Sequence, residues 1–166
     1  DWLAGDGMKT MWKTAAETHQ SICGLINPWN IAEISGRCEK YPDTPVVIDH
    51  FARIGADGTI RDEDVQNLCS LAKHRLVRVK LSAYYAFGKK QPPYLDLIPM
   101  IKRLFDAYGP DRLMWASDCP YQLGGSNTYA ASVALVHDHM DFVSVEDRRK
   151  LLRTTAESTF FFAGKK

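Results

Sequence analysis

Apolar and polar positions along the chain alternate between two periods, and the alternation predicts a series of helices and strands. Met8, Met11, Trp12, Ala15 and Ala16 recur at helical spacing, so Met8 to His19 is expected to be a helix. "SICGLIN", Ser21 to Asn27, is a short apolar run stopped by Asn27-Pro28 and predicts a strand. Trp29 to Tyr41 is helical in pattern, with Ile31, Ile34 and Cys38 on one face. "TPVVIDH", Thr44 to His50, is β-branched and continuous, as expected of a parallel strand covered on both faces. Thr59 with Asp62 resembles a capping box, opening a helix through about Lys73 with Val65, Leu68, Leu71 and Ala72 inward. "LVRVKLS", Leu76 to Ser82, is the next strand. A helix over Leu95 to Tyr108, bent near Pro99, and the strand "RLMWAS" follow. Beyond the Gly-rich turn "QLGGSN", the pattern predicts a helix over Thr128 to His139. Ser144 and Asp147 then cap a last helix that ends in Phe160, Phe161 and Phe162.

Strand ends therefore fall near Ile26, His50, Ser82 and Ser117, at the interval of a βα unit in a parallel α/β fold. Four such units and a terminal helix make one domain, 1–166. A closed (β/α)8 barrel takes about 250 residues, so the fold expected is its C-terminal half. The structural alternative is an open parallel α/β sheet of flavodoxin type.

Composition narrows the function classes. With 166 residues, 45% hydrophobic and 25% charged, the chain has the balance of a globular domain able to bury a core. Lys and Arg number 21 against 20 Asp and Glu, a net charge of +1, which argues for neither nucleic acid nor anionic membrane as partner. No apolar run is long enough to span a bilayer, and Asp1-Trp2-Leu3-Ala4 is not a signal peptide. Cys23, Cys38, Cys69 and Cys119 follow no CxxC or zinc-ribbon spacing. The first three lie in apolar patterns where buried thiols are common, and a reduced, cytosolic setting is expected. No GxGxxG or Walker-type phosphate loop is present.

In either architecture ligands collect at the carboxyl ends of the strands. Those ends carry Asn27, then Asp49 and His50, then Lys80 and Ser82 with Tyr84 and Tyr85 beyond, then Asp118. His50 can bind a metal or exchange protons, or simply cap the next turn. Asp118 can ligate a metal or deprotonate a hydrolytic water, or serve as a turn residue ahead of Pro120. Lys80 and Ser82 share a strand face, so Lys80 either binds an anion inside a barrel or snorkels outward. Tyr84, Tyr85 and, in the loop after His50, Arg53 are candidates for gripping a small, carboxylate-bearing substrate.

The segments "VVIDHFARIG", "VKLSAYYAFG" and "GPDRLMWASDCPY" together resemble the amidohydrolase-related (amidohydrolase 2) hydrolases. The branch is that of 2-pyrone-4,6-dicarboxylate lactonase and sugar lactonases. That family shows a "DH" strand end, a "KLSG.Y" strand end and "GxxRLMWGSDWP" at its last barrel strand. "LLRTTAESTFFF" resembles its closing helix, so the resemblance spans about Asp1 to Phe162. It implies a distorted (β/α)8 barrel that opens a lactone or related cyclic ester, with Asp118 as catalytic acid/base. His50 falls on a histidine that ligates metal or polarises the substrate. A divalent metal such as Zn, held in part by His50 and Asp118, is implied for members that use one, whereas some lactonases of the branch use none. Three departures stand out. The His-x-His pair of the first barrel strand is absent, Cys119 replaces the usual Trp, and Ala156-Glu157 stands where Asn is usual. The chain is thus expected to need a missing N-terminal half-barrel, or a second copy whose strands complete eight. A non-catalytic half-barrel module and, with less support, a metal-dependent decarboxylase are the competing readings.

Overall fold

In the computed structural model, which describes residues 5–161, four strands lie in one parallel sheet in the order β1-β2-β3-β4. They are β1 (Ile22–Gly24), β2 (Val46–Ile48), β3 (Val77–Ser82) and β4 (Leu113–Ala116). Helices α1 (Asp6–Thr18), α2 (Ile31–Lys40), α3 (Asp62–Ser70) and α4 (Ile98–Tyr108) alternate with them. After β4 come α5 (Tyr129–Asp138) and α6 (Val145–Arg149), a π-helical turn over Lys150–Thr154, and α7 (Thr155–Phe160). Sequential order without a switch point is what an arc of a barrel requires. The flavodoxin-type alternative would interrupt that order, so it is excluded.

Each strand is shorter than its apolar run, because pairing fixes only the register Ile22–Val46, Val46–Val77 and Val79–Leu113. That register sorts the side chains by alternation. Val46, Ile48, Val77, Val79, Leu81 and Leu113 join Leu68, Leu71, Leu97, Ile101 and Leu104 in one core beneath the helices. Val47 and Met114 are also buried but lie outside that core, on the opposite face with Cys23, Lys80 and Ser82. In a closed barrel this second face lines the interior.

Several local expectations are corrected. The Thr59/Asp62 capping box does not form: the Thr59 N–H donates to Asp57 Oδ1 at 3.0 Å, and α3 starts after Arg61. Asp62, Glu63 and Asp64 in its first turn offset the helix dipole instead. Pro99 does not bend a helix; it sits in the first turn of α4, where its missing N–H has no partner to lose. Cys23 is exposed, because its register position faces away from the core on an edge strand; Cys38 is buried as expected and Cys69 half-buried. The expected cap at Ser144 does form, its Oγ accepting from Asp147 N at 3.1 Å, and Thr128 Oγ1 also caps α5 by accepting from Ala131 N at 3.0 Å. Asp1 to Ala4 and Phe162 lie outside the described residues. Among the described residues no helix is long and apolar enough to cross a membrane.

The chain turns sharply just beyond three strand ends. His50, Phe51, Ala52 and Arg53 all have positive φ, as do Ala83 after β3 and Asp118 after β4. A left-handed non-glycine residue costs roughly 1–2 kcal/mol, so such a turn persists only where the surroundings over-determine it. The loops after β2 and β3 hold each other: Gly88 N donates to Gly55 O at 2.9 Å. A Cβ on Gly55 (φ +83°) would stand 3.1 Å from Gly88 N. Ala83 (φ 57°) is the one small side chain in a left-handed position directly between a strand and the site. Its replacement by glycine is expected to raise stability by about 1 kcal/mol, or about 2–4 °C in Tm. Thermal unfolding followed by circular dichroism checks this, and a lowered Tm would contradict it.

Candidate active site

Extending the strand register past the strand ends builds the site. Ile48 pairs with Val79, so Asp49 comes beside Lys80, and Asp49 Oδ1 lies 2.7 Å from Lys80 Nζ. Lys80 therefore points to the barrel-lining face and is paired there, rather than snorkelling to bulk solvent. The Phe160 ring at the end of α7 lies 5.5 Å from the same ammonium. Ser82 is paired with Ala116, and Asp118 follows two residues later beyond the strand end.

Four side chains form a connected row across the ends of β2, β3 and β4. Ser82 Oγ lies 2.7 Å from His50 Nδ1. His50 Nε2 lies 3.6 Å from Asp118 Oδ1, beyond hydrogen-bond length. The other carboxylate oxygen, Oδ2, accepts from the Tyr85 hydroxyl at 2.7 Å. Burial, and then the bond to Asp118, pushes the Tyr85 hydroxyl up to about 12, so it remains a protonated donor at neutral pH. His50 and Asp118 are each about one-fifth exposed, so the gap between them opens to solvent. A carboxylate held by one donor and facing a partly exposed imidazole can act with it as an acid/base pair toward a water bound at their open edge.

The remaining expected site residues are placed differently. Ser82 is 0% exposed and reaches outward only through His50. Tyr84 is 1% exposed, stacked on Phe51 and tilted against Tyr94; the structure does not bring it to the row. Arg53 is exposed and lines a shallow depression with Asn27 and Trp29, away from the His50–Asp118 gap. Two partners escaped the reading of the sequence: Asp49 for Lys80, and Tyr85 for Asp118. The first was accessible from alternation, since Val47 and Asp49 share a face. The second follows from the left-handed turn at Ala83, after which Tyr84 enters the core and Tyr85 faces Asp118.

The donor set also tests the implied metal. His50 and Asp118 supply two ligands, and among the described residues no group of three or more His, Cys, Asp or Glu side chains converges. A divalent site needs three protein donors or more, so this set does not complete one. His74, which packs on Ser35 at 3.0 Å, lies elsewhere, and its imidazole is held below the usual range by burial.

Comparison with known proteins agrees with the fold and the strand-end motifs. The chain is 31% identical over 77 residues to 4-sulfomuconolactone hydrolase of Hydrogenophaga intermedia, a match covering 46% of this chain and 25% of that one. It is 28% identical over 120 residues to L-fucono-1,5-lactonase of Burkholderia ambifaria, covering 72% and 41%. A crystal structure of an amidohydrolase from Burkholderia multivorans with bound zinc superposes with a TM-score of 0.84 at 20% identity. That match covers 95% of this chain and 58% of the other. The chain thus spans well under two thirds of the length of these relatives. The sequence profile described as amidohydrolase matches residues 16–162, nearly the whole chain. The strand order, the motifs at the strand ends and this match agree: the chain belongs to the amidohydrolase family.

Proposed function

We propose that this chain carries the acid/base half of a lactone-hydrolysing site, with Asp118 as the group that activates water. The observation that carries the reading is the row Tyr85–Asp118–His50–Ser82 at the carboxyl ends of three adjacent strands. The lactone-hydrolase names of two relatives support the substrate class.

The chemistry follows from the groups present. Asp118 removes a proton from a water bound at its exposed edge, and the water oxygen bonds to the ring carbonyl carbon. The carbonyl π electrons move to oxygen, and a donor at His50 Nε2 stabilises that charge. When the ring C–O bond breaks, Asp118 returns its proton to the leaving alkoxide, giving a hydroxy acid. Tyr85 holds the carboxylate in place throughout, and Lys80, on the same face, would share its ammonium between Asp49 and a substrate carboxylate. Arg53 and Tyr84 fit this reading least, the first because the depression it lines includes neither His50 nor Asp118 and the second for its burial. A divalent metal in the complete protein would need ligands beyond His50 and Asp118, and no step is assigned to one.

The purified protein, offered a panel of plain and carboxylated γ- and δ-lactones, is expected to release one proton per ring opened. No ring opening across the panel, at a rate above the spontaneous one, would contradict the reading.

The sheet edge at β1 bears on the working form. Among the described residues its backbone is unpaired on one side, and the groove beside it is lined by Met8, Met11, Trp12 and Ile22. An open apolar edge of this kind favours association. We infer that the remaining barrel strands, or a second copy of the chain, cover it. For the chain alone, light scattering is expected to give twice the mass of one chain. A well-behaved monomer would count against the second-copy form.

A further inference from the structure

We propose that Ser82 is a positioning residue. Its hydroxyl fixes His50 as the Nε2–H tautomer, so that His50 faces Asp118 as a hydrogen-bond donor and not as a metal ligand. The inference rests on reading His50 and Asp118 as the reacting pair, but its test does not require turnover.

Two independent observations carry it. The first is a matter of hydrogen-bond satisfaction. Ser82 is the last residue of β3 and wholly buried, with no solvent to take its proton. Among the described residues its hydroxyl has one hydrogen-bond partner, His50 Nδ1 at 2.7 Å. A buried hydroxyl that only accepts leaves its own proton without an acceptor, which is costly. The arrangement that satisfies both groups has Ser82 donating and Nδ1 accepting, and a neutral imidazole that accepts at Nδ1 carries its proton on Nε2.

The second observation is electrostatic. Nε2 faces Asp118 Oδ1 across 3.6 Å in a partly buried setting. A lone pair on Nε2 would point at a carboxylate oxygen, whereas an N–H there points its positive end at the negative charge. Asp118 is itself anchored on its other oxygen by Tyr85, so it is not free to turn away. Both ends of the ring therefore select the same tautomer.

The consequence concerns the reaction. An Nε2 that carries a proton has no lone pair to give a metal, which agrees with the incomplete donor set. It can instead donate to a water or to a carbonyl oxygen entering the gap. Ser82 then shapes catalysis from behind His50, without touching substrate.

The test is 15N NMR of the uniformly labelled protein at about pH 9, where a histidine side chain is ordinarily neutral. The His50 ring is assigned by its loss in His50→Gln, and the protonated nitrogen is read from the one-bond N–H coupling. The proton is expected on Nε2 in the parent chain and in Ser82→Thr, which keeps a hydroxyl. In Ser82→Ala, a population protonated at Nδ1 is expected to appear. A proton on Nδ1 in the parent chain, or an unchanged ring in Ser82→Ala, would overturn the assignment. Failure of the hydrolase reading is distinguishable: it would show as no lactone opening by the parent chain, whichever nitrogen holds the proton.

Discussion

Replacing Asp118 by Asn is expected to lower lactone turnover by about 10²–10⁴-fold while the chain still folds. The amide keeps the size and planarity of the carboxylate. Its oxygen can still accept from the Tyr85 hydroxyl that now lies 2.7 Å from Asp118 Oδ2. Asn is also among the residues that tolerate the left-handed φ of 59° found at this position, so the turn is not made more strained. Basicity is what disappears: an amide cannot take a proton from water or return it to an alkoxide. The loss should therefore fall on kcat more than on KM. Proton release and a thermal melt on the same preparation check both halves of the expectation. Undiminished turnover in a folded variant would remove Asp118 from the mechanism.

The second large effect is structural and lies at the opposite end of β4. Arg112→Ala is expected to cost about 3 kcal/mol and lower Tm by about 6–12 °C. Arg112 Nη1 donates to Ala72 O at 2.8 Å and His74 O at 3.2 Å, while Nε donates to Tyr108 O at 3.0 Å. These carbonyls close the segments after α3 and at the end of α4, where helix termini leave acceptors without intrahelical partners. The guanidinium also lies 5.2 Å from the centre of the Tyr108 ring, whose hydroxyl donates to Leu68 O at 2.6 Å. One side chain thus ties two helix ends to the start of a strand. Lysine, with a single ammonium in place of a planar fork, should recover little of the loss. A melt of Arg112→Ala within a degree or two of the parent would show that the bonds add nothing net.

Arg112 also marks where the sequence was legible and where it was not. The run "RLMWAS" announces β4 through its apolar pattern, but nothing in that pattern reveals that its first residue reaches four backbone carbonyls. Arg112 reads from the sequence as an ordinary connector. The strands at "VVID" and "VRVKLS" were recoverable because β-branched residues and alternation are local properties. Their consecutive order in the sheet depends on pairing between distant segments, and both a barrel and an open sheet fit the sequence. His50 and Asp118 could be picked out as ionisable groups ending apolar strands. Their proximity, and the choice of Tyr85 over Tyr84, depend on left-handed turns at His50, Ala83 and Asp118 that the apolar pattern does not reveal, least of all at Ala83. Thr59 failed as a cap for a related reason: Asp57 competes for its N–H within the preceding turn.

The family resemblance and the geometry support the same strand-end site, and they part over the metal. The resemblance implies a divalent ion, held in part by His50 and Asp118, for the members that use one and none for some lactonases of the branch. The described donors do not complete such a site, and the satisfied Ser82–His50 bond leaves Nε2 as a donor. A lactone carbonyl polarised by an N–H beside a carboxylate that handles the proton needs no further group from this half of the barrel.

If, as proposed, a water activated by Asp118 attacks the lactone carbonyl, the fate of the water oxygen reveals it. The most direct measurement runs a turned-over lactone in H2 18O and locates the label in the product by mass spectrometry. Carbonyl attack predicts 18O in the new carboxylate, with the ring oxygen retained unlabelled in the alcohol. Label in the alcohol, or loss of the substrate's carboxylate as CO2, would contradict the account.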